Sequence, residues 1–263
     1  MKKLSLIAGN CVIENADTSF KTANFLKDMA KEFNFDLTYK SSYKKDNRSS
    51  VDFFSGIGMN ECNQIFKNLK SELKLKTITD FHNLYELEHD IAETIDVMQI
   101  PAYLCMQTEL VTSMAKKGKQ INIKKGQFLS PADTIKIVRK IENEGNKKIS
   151  ITERGTCFGY RDLVVDPRSF YILKQSGYPI IFDGGHSVRK YGVPSSDIKT
   201  GGAKEYIEIL CRSAIASNVD GIFVEVHPDP PKAKCDAATQ LSFLEFEKLM
   251  KNLMPLWNFI YKN

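Results

Sequence analysis

Residues 4–43 contain a complete strand–helix–strand unit: LSLIAG at 4–9, an amphipathic stretch, and DLTYKSSY at 36–43. Within the amphipathic stretch, Phe20, Ala23 and Phe33 recur at the spacing that places apolar side chains on one face of a helix. The same succession returns along the chain, with further strand-like runs at 76–80, 97–101, 120–126, 148–155, 178–185 and 221–227. Eight strands that alternate with helices predict an α/β fold, the (β/α)8 TIM barrel.

The length agrees with this prediction. The chain has 263 residues, close to the roughly 250 that such a barrel needs, and no linker-like segment divides it. We therefore expect one catalytic domain over residues 1–263, with one of its helices beginning at Ser130 and Pro131. A doubly wound open sheet is the alternative, but its usual strand number of roughly five or six leaves two runs unexplained. No GxGxxG sequence follows the first run, so nothing indicates a dinucleotide site.

The composition excludes several classes of protein. A chain that is 42% hydrophobic and 26% charged is globular rather than disordered. Lys and Arg number 37 against 32 Asp and Glu, a net charge of +5 that is too small and too dispersed to indicate a nucleic-acid partner. No run approaches the roughly 20 apolar residues of a membrane span. Six scattered cysteines without a CxxC pair predict reduced thiols, and the first apolar run is too short for a leader, so we expect a cytoplasmic protein.

Active sites of this fold lie at the carboxyl ends of the strands, so the polar residues that follow the eight runs are the candidates. They are Asn10, Cys11, Lys40, Lys45, Asn47, Arg48, Asp80, His82, Gln99, Lys124, Lys125, Glu153, Arg154, Asp183, His186, Glu225, His227 and Asp236. Cations and metal-binding side chains therefore concentrate at one end of the barrel. This concentration predicts an enzyme with a highly anionic substrate and a divalent ion.

Four of these residues have metal-binding chemistry and follow the first, seventh and eighth runs: Cys11, His186, Glu225 and Asp236. Closure of the barrel makes the eighth strand the neighbour of the first, so we expect the four to meet in space. A thiolate, an imidazole and two carboxylates suit a borderline divalent transition ion such as Zn²⁺, Fe²⁺, Mn²⁺ or Co²⁺. The alternatives are a buried hydrophobic role for Cys11 and a helix cap for Asp236.

Cations that suit anionic ligands follow the second, fifth and sixth runs. The loop KKDNRSS at 44–50 offers an arginine fork beside amide and hydroxyl donors, and a solvated loop is its alternative. At 124–125, strand alternation sends one lysine toward the barrel interior, where an ammonium needs an anionic partner. We expect three cations to hold the carboxylate and phosphate of one small molecule: Lys45, Lys125 and Arg154. Arg48 then serves a second phosphate.

Motifs along nearly the whole chain resemble those of one enzyme family. They are IAGNCVIE at 7–14, KSSY at 40–43, NRSS at 47–50, QIPA at 99–102, NIKKGQF at 122–128, TERG at 152–155, FGY at 158–160, LVVD at 163–166 and EVHPDP at 225–230, with Asp236. In this order they are similar to the motifs of 3-deoxy-D-manno-octulosonate 8-phosphate synthase, also named 2-dehydro-3-deoxyphosphooctonate aldolase.

The resemblance implies a cytoplasmic TIM-barrel enzyme, commonly a homotetramer, that condenses phosphoenolpyruvate with D-arabinose 5-phosphate and water. The products are 3-deoxy-D-manno-octulosonate 8-phosphate and phosphate, on the route to the inner-core sugar of lipopolysaccharide. It implies that phosphoenolpyruvate lies on Lys45, Lys125 and Arg154, and the pentose phosphate on Asn47, Arg48 and Ser49. We add His186 to the catalytic set, and the other substrate-binding candidates are Lys40, Gln99, Lys124 and Asp183.

Residue 11 divides this family into two classes, since metal-dependent members carry Cys there and metal-independent members carry Asn. Cys11, together with the other three ligands, therefore implies the metal-dependent class. Two departures from the family pattern concern substrate binding and the first strand end. Met106 stands where the family has an arginine that helps to bind the sugar phosphate, and Asn10 stands where it usually has proline.

Two other functions remain open from the sequence. One is 3-deoxy-D-arabino-heptulosonate 7-phosphate synthase, which uses erythrose 4-phosphate, although the NRSS turn at 47–50 favours the eight-carbon product. The other is a non-catalytic sugar-phosphate binding protein, which the loss of a cation at Met106 keeps open. The segment 187–200 carries Arg189, Lys190 and Lys199, which either close over a phosphate or belong to a solvated loop.

Overall fold

The computed structural model describes residues 2–157, 162–190, 192–194 and 200–262. These residues form eight parallel strands that close into a barrel in chain order. The strands are β1 Ser5–Gly9, β2 Asp36–Lys40, β3 Lys76–Asp80, β4 Val97–Ile100, β5 Gln120–Lys124, β6 Ile149–Glu153, β7 Ile180–Asp183 and β8 Gly221–Glu225. β1 pairs with both β2 and β8, and Gly9 lies opposite Glu225. The predicted (β/α)8 barrel is therefore confirmed, and the open sheet is wrong because it leaves two edge strands.

Eight α-helices alternate with these strands in the described part of the chain. They are α1 Ala16–Phe33, α2 Met59–Leu73, α3 Asp90–Thr94, α4 Thr108–Lys116, α5 Pro131–Asn143, α6 Arg168–Lys174, α7 Ile207–Ala216 and α8 Phe243–Ile260. The predicted start of α5 is confirmed: the Ser130 hydroxyl accepts a hydrogen bond from the Asp133 backbone N–H, with Pro131 in the first turn. α1 ends at Asn34, which adopts a left-handed φ of 54°.

The predicted runs extend beyond the strands, mostly at their carboxyl ends. The run 36–43 continues three residues past β2, and the run 120–126 continues two past β5. Beyond β5 the Lys125 N–H still donates to the Thr152 carbonyl at 2.9 Å, after which the chain leaves the sheet. These extensions carry polar side chains above the barrel, where the candidate site residues lie.

Side chains in the strands alternate between the helices and the barrel axis. Leu6 and Ala8 pack in the main core between strands and helices, whereas Ile7 belongs to a separate, smaller cluster. The members of that cluster come from five strands: Ile7, Ile78, Val97, Ile181 and Phe223. They fill the barrel interior below the site.

A group of hydrogen-bonded polar side chains also lies inside the barrel. The Gln99 amide donates to Asn122 Oδ1 at 2.8 Å, and the Asn122 amide donates to Ser150 Oγ and Thr152 Oγ1 at 2.9 Å. All four side chains are buried, so these hydrogen bonds satisfy groups that water does not reach. The barrel interior thus contains polar as well as apolar side chains.

Neither a helix fit to span a membrane nor a disulfide bond is found among the described residues. No described helix combines the length and apolar character that crossing a bilayer needs. All six cysteines lie in the described part of the chain as free thiols; Cys157 is exposed and the other five are buried.

Candidate active site and metal centre

A cavity of about 610 Å³ opens at the carboxyl end of the barrel. Ten of the predicted site residues line it: Lys40, Lys45, Asn47, Arg48, Ser49, Gln99, Lys124, Arg154, His186 and Asp236. Other lining residues include Phe53, Asp80, Tyr103, Gln127, Arg189, Lys190 and Cys235. The volume is typical of small-molecule sites. Folding therefore brings residues from the whole length of the chain to one cavity.

The lysines of this cavity are buried among acids. Lys40 Nζ lies 3.2 Å from Asp80 Oδ1, and Lys124 Nζ lies 2.7 Å from Asp183 Oδ2. Burial lowers the pKa of Lys124, although Asp183 opposes that effect. Burial also disfavours the charge of Lys45, but the acidic groups around it hold the pKa of Lys45 well above its usual value. Buried ammonium groups beside an open cavity are poised to bind an anion.

Arg154 reaches the cavity from the end of β6. Its guanidinium donates to Gln127 Oε1 and to the His186 carbonyl, both at 3.2 Å. These contacts fix the orientation of a planar group that matches the two oxygens of a carboxylate or phosphate.

Arg48 lines the cavity together with Asn47 and Ser49. Its guanidinium donates to Cys235 Sγ at 2.9 Å and to the Lys234 carbonyl at 3.3 Å. The same group lies over the Phe53 ring, 5.3 Å from its centroid. The loop after β2 is therefore attached to the loop after β8 and presents donors to the cavity from that side.

The adjacent residues Lys124 and Lys125 take different places. Lys124 lines the cavity, whereas Lys125 is fully buried behind it and is not among the lining residues. Lys125 Nζ donates to the Gly155 carbonyl at 3.0 Å and lies 3.3 Å from Glu153 Oε1; it also donates to three further oxygens, of Gly126, Leu129 and Thr156. With its donors used in this way, Lys125 holds the loops after β5 and β6 together. The structure thus places Lys124 on the cavity wall and Lys125 behind it.

Behind Lys40, charges of alternating sign continue away from the cavity. Asp80 Oδ2 lies 3.5 Å from His82 Nε2, and His82 Nδ1 lies 3.5 Å from Glu86 Oε2. Burial disfavours the imidazolium, but the two carboxylates raise the pKa of His82 to about 9. Burial likewise opposes the charge of Glu86, yet hydrogen bonds from His82 and Tyr43 lower the pKa of Glu86 to about 2. Asp80 is therefore held ionised next to Lys40.

His186 is oriented by the end of β7. Its backbone N–H donates to Asp183 Oδ1 at 2.9 Å, and its Nδ1 lies 2.9 Å from Asp183 Oδ2. The carboxylate therefore uses Nδ1 and leaves Nε2 directed at two acids, 3.6 Å from Glu225 Oε1 and 3.5 Å from Asp236 Oδ2. An imidazole held through its other nitrogen by a carboxylate is the usual arrangement of a metal-binding histidine.

The four predicted metal ligands meet around Asp236. Ligand atoms of His186, Glu225 and Asp236 lie within 4.8 Å of one another, and Cys11 Sγ lies 3.3 Å from Asp236 Oδ2. All four residues are buried. Asp236 adopts a positive φ of 47°, a strained conformation for a residue other than glycine, which places its carboxylate between the thiol and the imidazole. The pairing of β1 with β8 is what brings Cys11 to this group.

The chemistry of these donors fits a divalent transition ion. Among the described residues, nothing donates a hydrogen bond to either oxygen of Glu225 or to Asp236 Oδ1, although all three atoms are buried. Burial opposes the charge of Asp236, but Arg189 and His186 hold the pKa of that carboxyl well below its usual value. Buried carboxylate oxygens without donors are costly unless a cation binds them. The sulfur and nitrogen donors beside them favour a transition ion over Mg²⁺ or Ca²⁺.

The sequence did not predict the contacts of several residues in this region. Asp80 and His82 were recognised as strand-end residues, but their pairing with Lys40 depends on contacts between strands. Cys235 lies in a loop, where no periodicity signals it. Arg189 lies 3.5 Å from Asp236, and it lines the cavity with Lys190, as the phosphate-closing alternative requires.

Other predicted features lie away from the cavity or outside the described residues. Asn10 is a core residue, whose amide donates to Thr22 Oγ1 and to the Val226 carbonyl. Met106 is half exposed and does not line the cavity. Lys199 and the FGY motif at 158–160 lie outside the described residues.

Comparison with known proteins identifies the family of this chain. The model of the DAHP synthetase I family matches residues 1–258. The chain belongs to the DAHP synthetase I family. Similar curated proteins are named 2-dehydro-3-deoxyphosphooctonate aldolase, as the resemblance in the sequence predicted.

The similarity of these relatives to the chain extends over nearly its full length. The protein from Geobacter sp. (strain M21) is 44% identical over 255 residues, which cover 97% of this chain and 92% of the relative. The protein from Trichlorobacter lovleyi is 43% identical over 253 residues, 96% of this chain and 92% of the relative. The protein from Nitrobacter winogradskyi is 42% identical over 254 residues, 96% of this chain and 88% of the relative.

Proposed function

We propose that this member of the DAHP synthetase I family condenses phosphoenolpyruvate with D-arabinose 5-phosphate and water. The products are 3-deoxy-D-manno-octulosonate 8-phosphate and inorganic phosphate, so the enzyme is a transferase that supplies lipopolysaccharide biosynthesis. The observation that carries the proposal is one cavity lined by buried cations and by His186 and Asp236, with two further metal-type ligands, Cys11 and Glu225, buried next to them. The names of relatives 41–44% identical to the chain support the same reaction.

The cations divide between the two anionic substrates. Lys45, Lys124 and Arg154 hold the carboxylate and phosphate of phosphoenolpyruvate, with Lys40 and Gln99 beside them. This assignment replaces Lys125 by Lys124 because only Lys124 lines the cavity. Arg48, Asn47 and Ser49 hold the phosphate of the pentose. The two substrates are thereby aligned for attack of the methylene carbon on the aldehyde.

The chain's own residues then serve the changes in charge that the reaction requires. The methylene carbon of phosphoenolpyruvate bonds to the aldehyde carbon, water adds at the phosphate-bearing carbon, and the C–O bond to phosphate breaks. Arg154 and Lys124 stabilise the departing phosphate because they already bind it. Asp183 holds His186 and Lys124 in place through contacts of 2.9 and 2.7 Å. Preorganised charges of this kind stabilise a transition state without reorganisation.

Cys11, His186, Glu225 and Asp236 would hold a divalent transition ion. When bound there, such an ion supplies Lewis-acid polarisation of an oxygen atom. The buried oxygens of Glu225 and Asp236 that accept no hydrogen bond from the described residues support this assignment, and the donor set leaves Zn²⁺, Fe²⁺, Mn²⁺ and Co²⁺ as candidates.

Two features of the molecule in the cell belong to the same proposal. We place the enzyme in the cytoplasm, since free thiols are typical of that compartment. We also propose a homotetramer, whose contacts would cover apolar side chains on the helical surface such as Ile209, Leu244 and Phe259. Light scattering during gel filtration tests the tetramer, and a monomer of 29.8 kDa would contradict it.

The test is release of inorganic phosphate from phosphoenolpyruvate by metal-replete protein, measured in parallel with two aldoses. We expect turnover with arabinose 5-phosphate and little with erythrose 4-phosphate. Turnover with erythrose 4-phosphate alone would instead assign the seven-carbon synthase reaction of the same family. A folded, metal-replete protein that is inactive with both aldoses but binds them would be a sugar-phosphate binding protein.

A further inference from the structure

One hydroxyl beside the cavity lacks a hydrogen-bond partner among the described residues. Tyr103 follows β4 in the short turn Ala102–Leu104, and its side chain lines the cavity. The phenol oxygen is buried and forms no hydrogen bond with any residue of the described ranges. A buried hydroxyl in this state has lost its contacts with water and gained none in exchange, so it indicates a group that binds there.

Other tyrosines of the barrel use their hydroxyls to join elements of the fold. The Tyr39 hydroxyl donates to Asn10 Oδ1 at 2.8 Å, that of Tyr178 to Glu142 Oε1 at 2.8 Å, and that of Tyr261 to the Val219 carbonyl at 2.6 Å. Tyr103 makes no such connection, and it belongs to none of the hydrophobic clusters in the described part of the chain. Neither hydrogen bonding nor core packing explains a tyrosine at this position.

A carboxylate that can accept a hydrogen bond lies next to this donor. Of the charged groups, Asp80 acts most strongly on the Tyr103 phenol, and both side chains line the cavity. Asp80 Oδ1 lies 3.2 Å from Lys40 Nζ, but it is buried and accepts no hydrogen bond within the described ranges. Burial and then the carboxylates around it raise the pKa of Tyr103, so the phenol keeps its proton. One donor and one acceptor are therefore available to the same ligand.

The chemistry of this pair selects a neutral alcohol. An alcohol oxygen accepts a hydrogen bond from the phenol while its own proton is donated to the carboxylate, so both groups are satisfied at once. A phosphate or carboxylate has no proton to donate, and the charge of Asp80 opposes its approach. The anionic groups of the substrates have Arg48 and Arg154 instead.

We propose that Tyr103, together with Asp80, binds the hydroxyl adjacent to the aldehyde of the pentose phosphate and makes the enzyme selective for an aldose that carries it. The inference rests on the proposed function, which places Lys40 beside phosphoenolpyruvate. Because Asp80 is paired with Lys40, the Tyr103–Asp80 pair lies toward the reacting end of the pentose. A small turn of the phenol toward the ligand displaces no core side chain, since Tyr103 is not part of a hydrophobic cluster.

The test begins with Tyr103→Phe, which removes the hydroxyl oxygen and keeps the ring. We expect kcat/KM for arabinose 5-phosphate to fall about 3–10-fold, the effect of one neutral hydrogen bond, and the KM for phosphoenolpyruvate to change less than about twofold. The matched control is Tyr171→Phe, because Tyr171 is an exposed phenol that does not line the cavity. Its kinetics should equal those of the natural protein.

An aldose without the hydroxyl supplies a readout that a merely structural role would not change. 2-Deoxyribose 5-phosphate is arabinose 5-phosphate without the hydroxyl adjacent to the aldehyde. The natural protein should use it less well than arabinose 5-phosphate, and Tyr103→Phe should use it as well as the natural protein does. Removal of each partner in turn isolates the hydrogen bond between them.

Calorimetric binding of arabinose 5-phosphate separates failure of this inference from failure of the proposed function. Weaker binding by Tyr103→Phe than by the natural protein, without turnover in either, would support the hydroxyl site and reject the reaction. Equal kcat/KM for arabinose 5-phosphate in the two proteins, with the natural protein active, would retain the reaction and overturn the inference. The inference is also overturned if Tyr103→Phe loses activity by the same factor with both aldoses, since the hydroxyl would then serve only the fold.

Discussion

The two ends of the barrel carry similar charges but bury them differently. At the amino end, a cavity of about 250 Å³ is lined by Lys2, Lys3 and Lys76, which are exposed. Lys3, for example, lies 3.8 Å from Asp36, and both side chains are about half exposed or more. At the carboxyl end, Lys40 and its partner Asp80 are nearly excluded from solvent at 3.2 Å.

This difference separates charges that serve solubility from charges that serve a ligand. Exposed ion pairs contribute about 0–1 kcal/mol to stability, because water competes with the pair. Buried pairs cost so much desolvation that apolar residues often replace them without loss of stability. The buried charges that line the cavity are therefore explained by binding, whereas the buried charges behind them, such as Lys125 and His82, contribute to folding.

The largest expected effect follows removal of the metal. A chelator should abolish phosphate release from phosphoenolpyruvate, because the ion contributes several kcal/mol to transition-state stabilisation, about a thousandfold in rate or more. A divalent transition ion should restore the rate. Full activity in protein that elemental analysis shows to be free of metal would contradict the account.

Two adjacent lysines at the end of β5 allow charges that serve folding and charges that serve binding to be compared within the site. Lys125→Met should lower the free energy of unfolding by about 3–5 kcal/mol, because it leaves the buried Glu153 without its cation. Lys124→Met should chiefly raise the KM for phosphoenolpyruvate. Denaturant unfolding and steady-state kinetics on both variants measure the two effects. If Lys125→Met instead raised the KM and Lys124→Met lowered the stability, Lys125 rather than Lys124 would bind the substrate.

The buried His82 predicts a dependence of stability on pH. The carboxylates of Asp80 and Glu86 and the hydroxyl of Tyr43 lie next to its imidazole ring. Burial opposes the charged ring, but the two carboxylates raise the pKa of His82 to about 9. Because the folded pKa exceeds the unfolded value of about 6.5, the stabilisation is complete below pH 6.5 and is lost as pH rises through 9. The free energy of unfolding should fall by about 3 kcal/mol across that window.

His82→Gln supplies the control for this pH dependence. The variant should be less stable than the natural sequence near pH 6, and the difference between the two should shrink as pH approaches 9. Urea unfolding at several pH values measures it. A constant difference across the window would mean that His82 is not charged in the folded protein.

A smaller effect is expected from Arg154→Ala. Loss of a charge-assisted contact of about 1.5–3 kcal/mol should raise the KM for phosphoenolpyruvate by about 10–150-fold. The matched control is Arg168→Ala, since Arg168 is an exposed arginine that pairs with Asp166 on the surface. Equal kinetics for the two variants would show that Arg154 does not bind the substrate.

The smallest effect belongs to the amino end of the barrel. Lys76→Ala removes an exposed ammonium that donates to Gln120 at 2.7 Å. We expect the free energy of unfolding to change by less than about 0.5 kcal/mol and the kinetics to stay the same. A large loss of activity would break the distinction between the two ends.

Much of this molecule follows from the sequence, because the strands and the closure of the barrel are encoded locally. Alternation and run length predict all eight strands, and closure places Cys11 near Glu225 without further information. Which of the two lysines at 124–125 lines the cavity did not follow from the sequence, from which we expected Lys125; in the structure Lys124 lies on the cavity wall.

What the sequence does not predict are contacts made between loops. Cys235 and Gln240 lie where no periodicity applies, so their neighbours depend on how the loop after β8 folds over β1. The alternation of charges from Glu86 to Lys40 cannot be predicted from the sequence either, since these residues come from different elements. Loop contacts set the details of the site, whereas strand order sets its location.

The most direct test of the central claim is an anomalous difference map from crystals grown with Zn²⁺. The account predicts one strong peak at the carboxyl end of the barrel, about 2.0–2.3 Å from His186 Nε2, Cys11 Sγ and the carboxylates of Glu225 and Asp236. Zinc bound only at the surface, for instance at His89, with these four side chains unchanged, would contradict it.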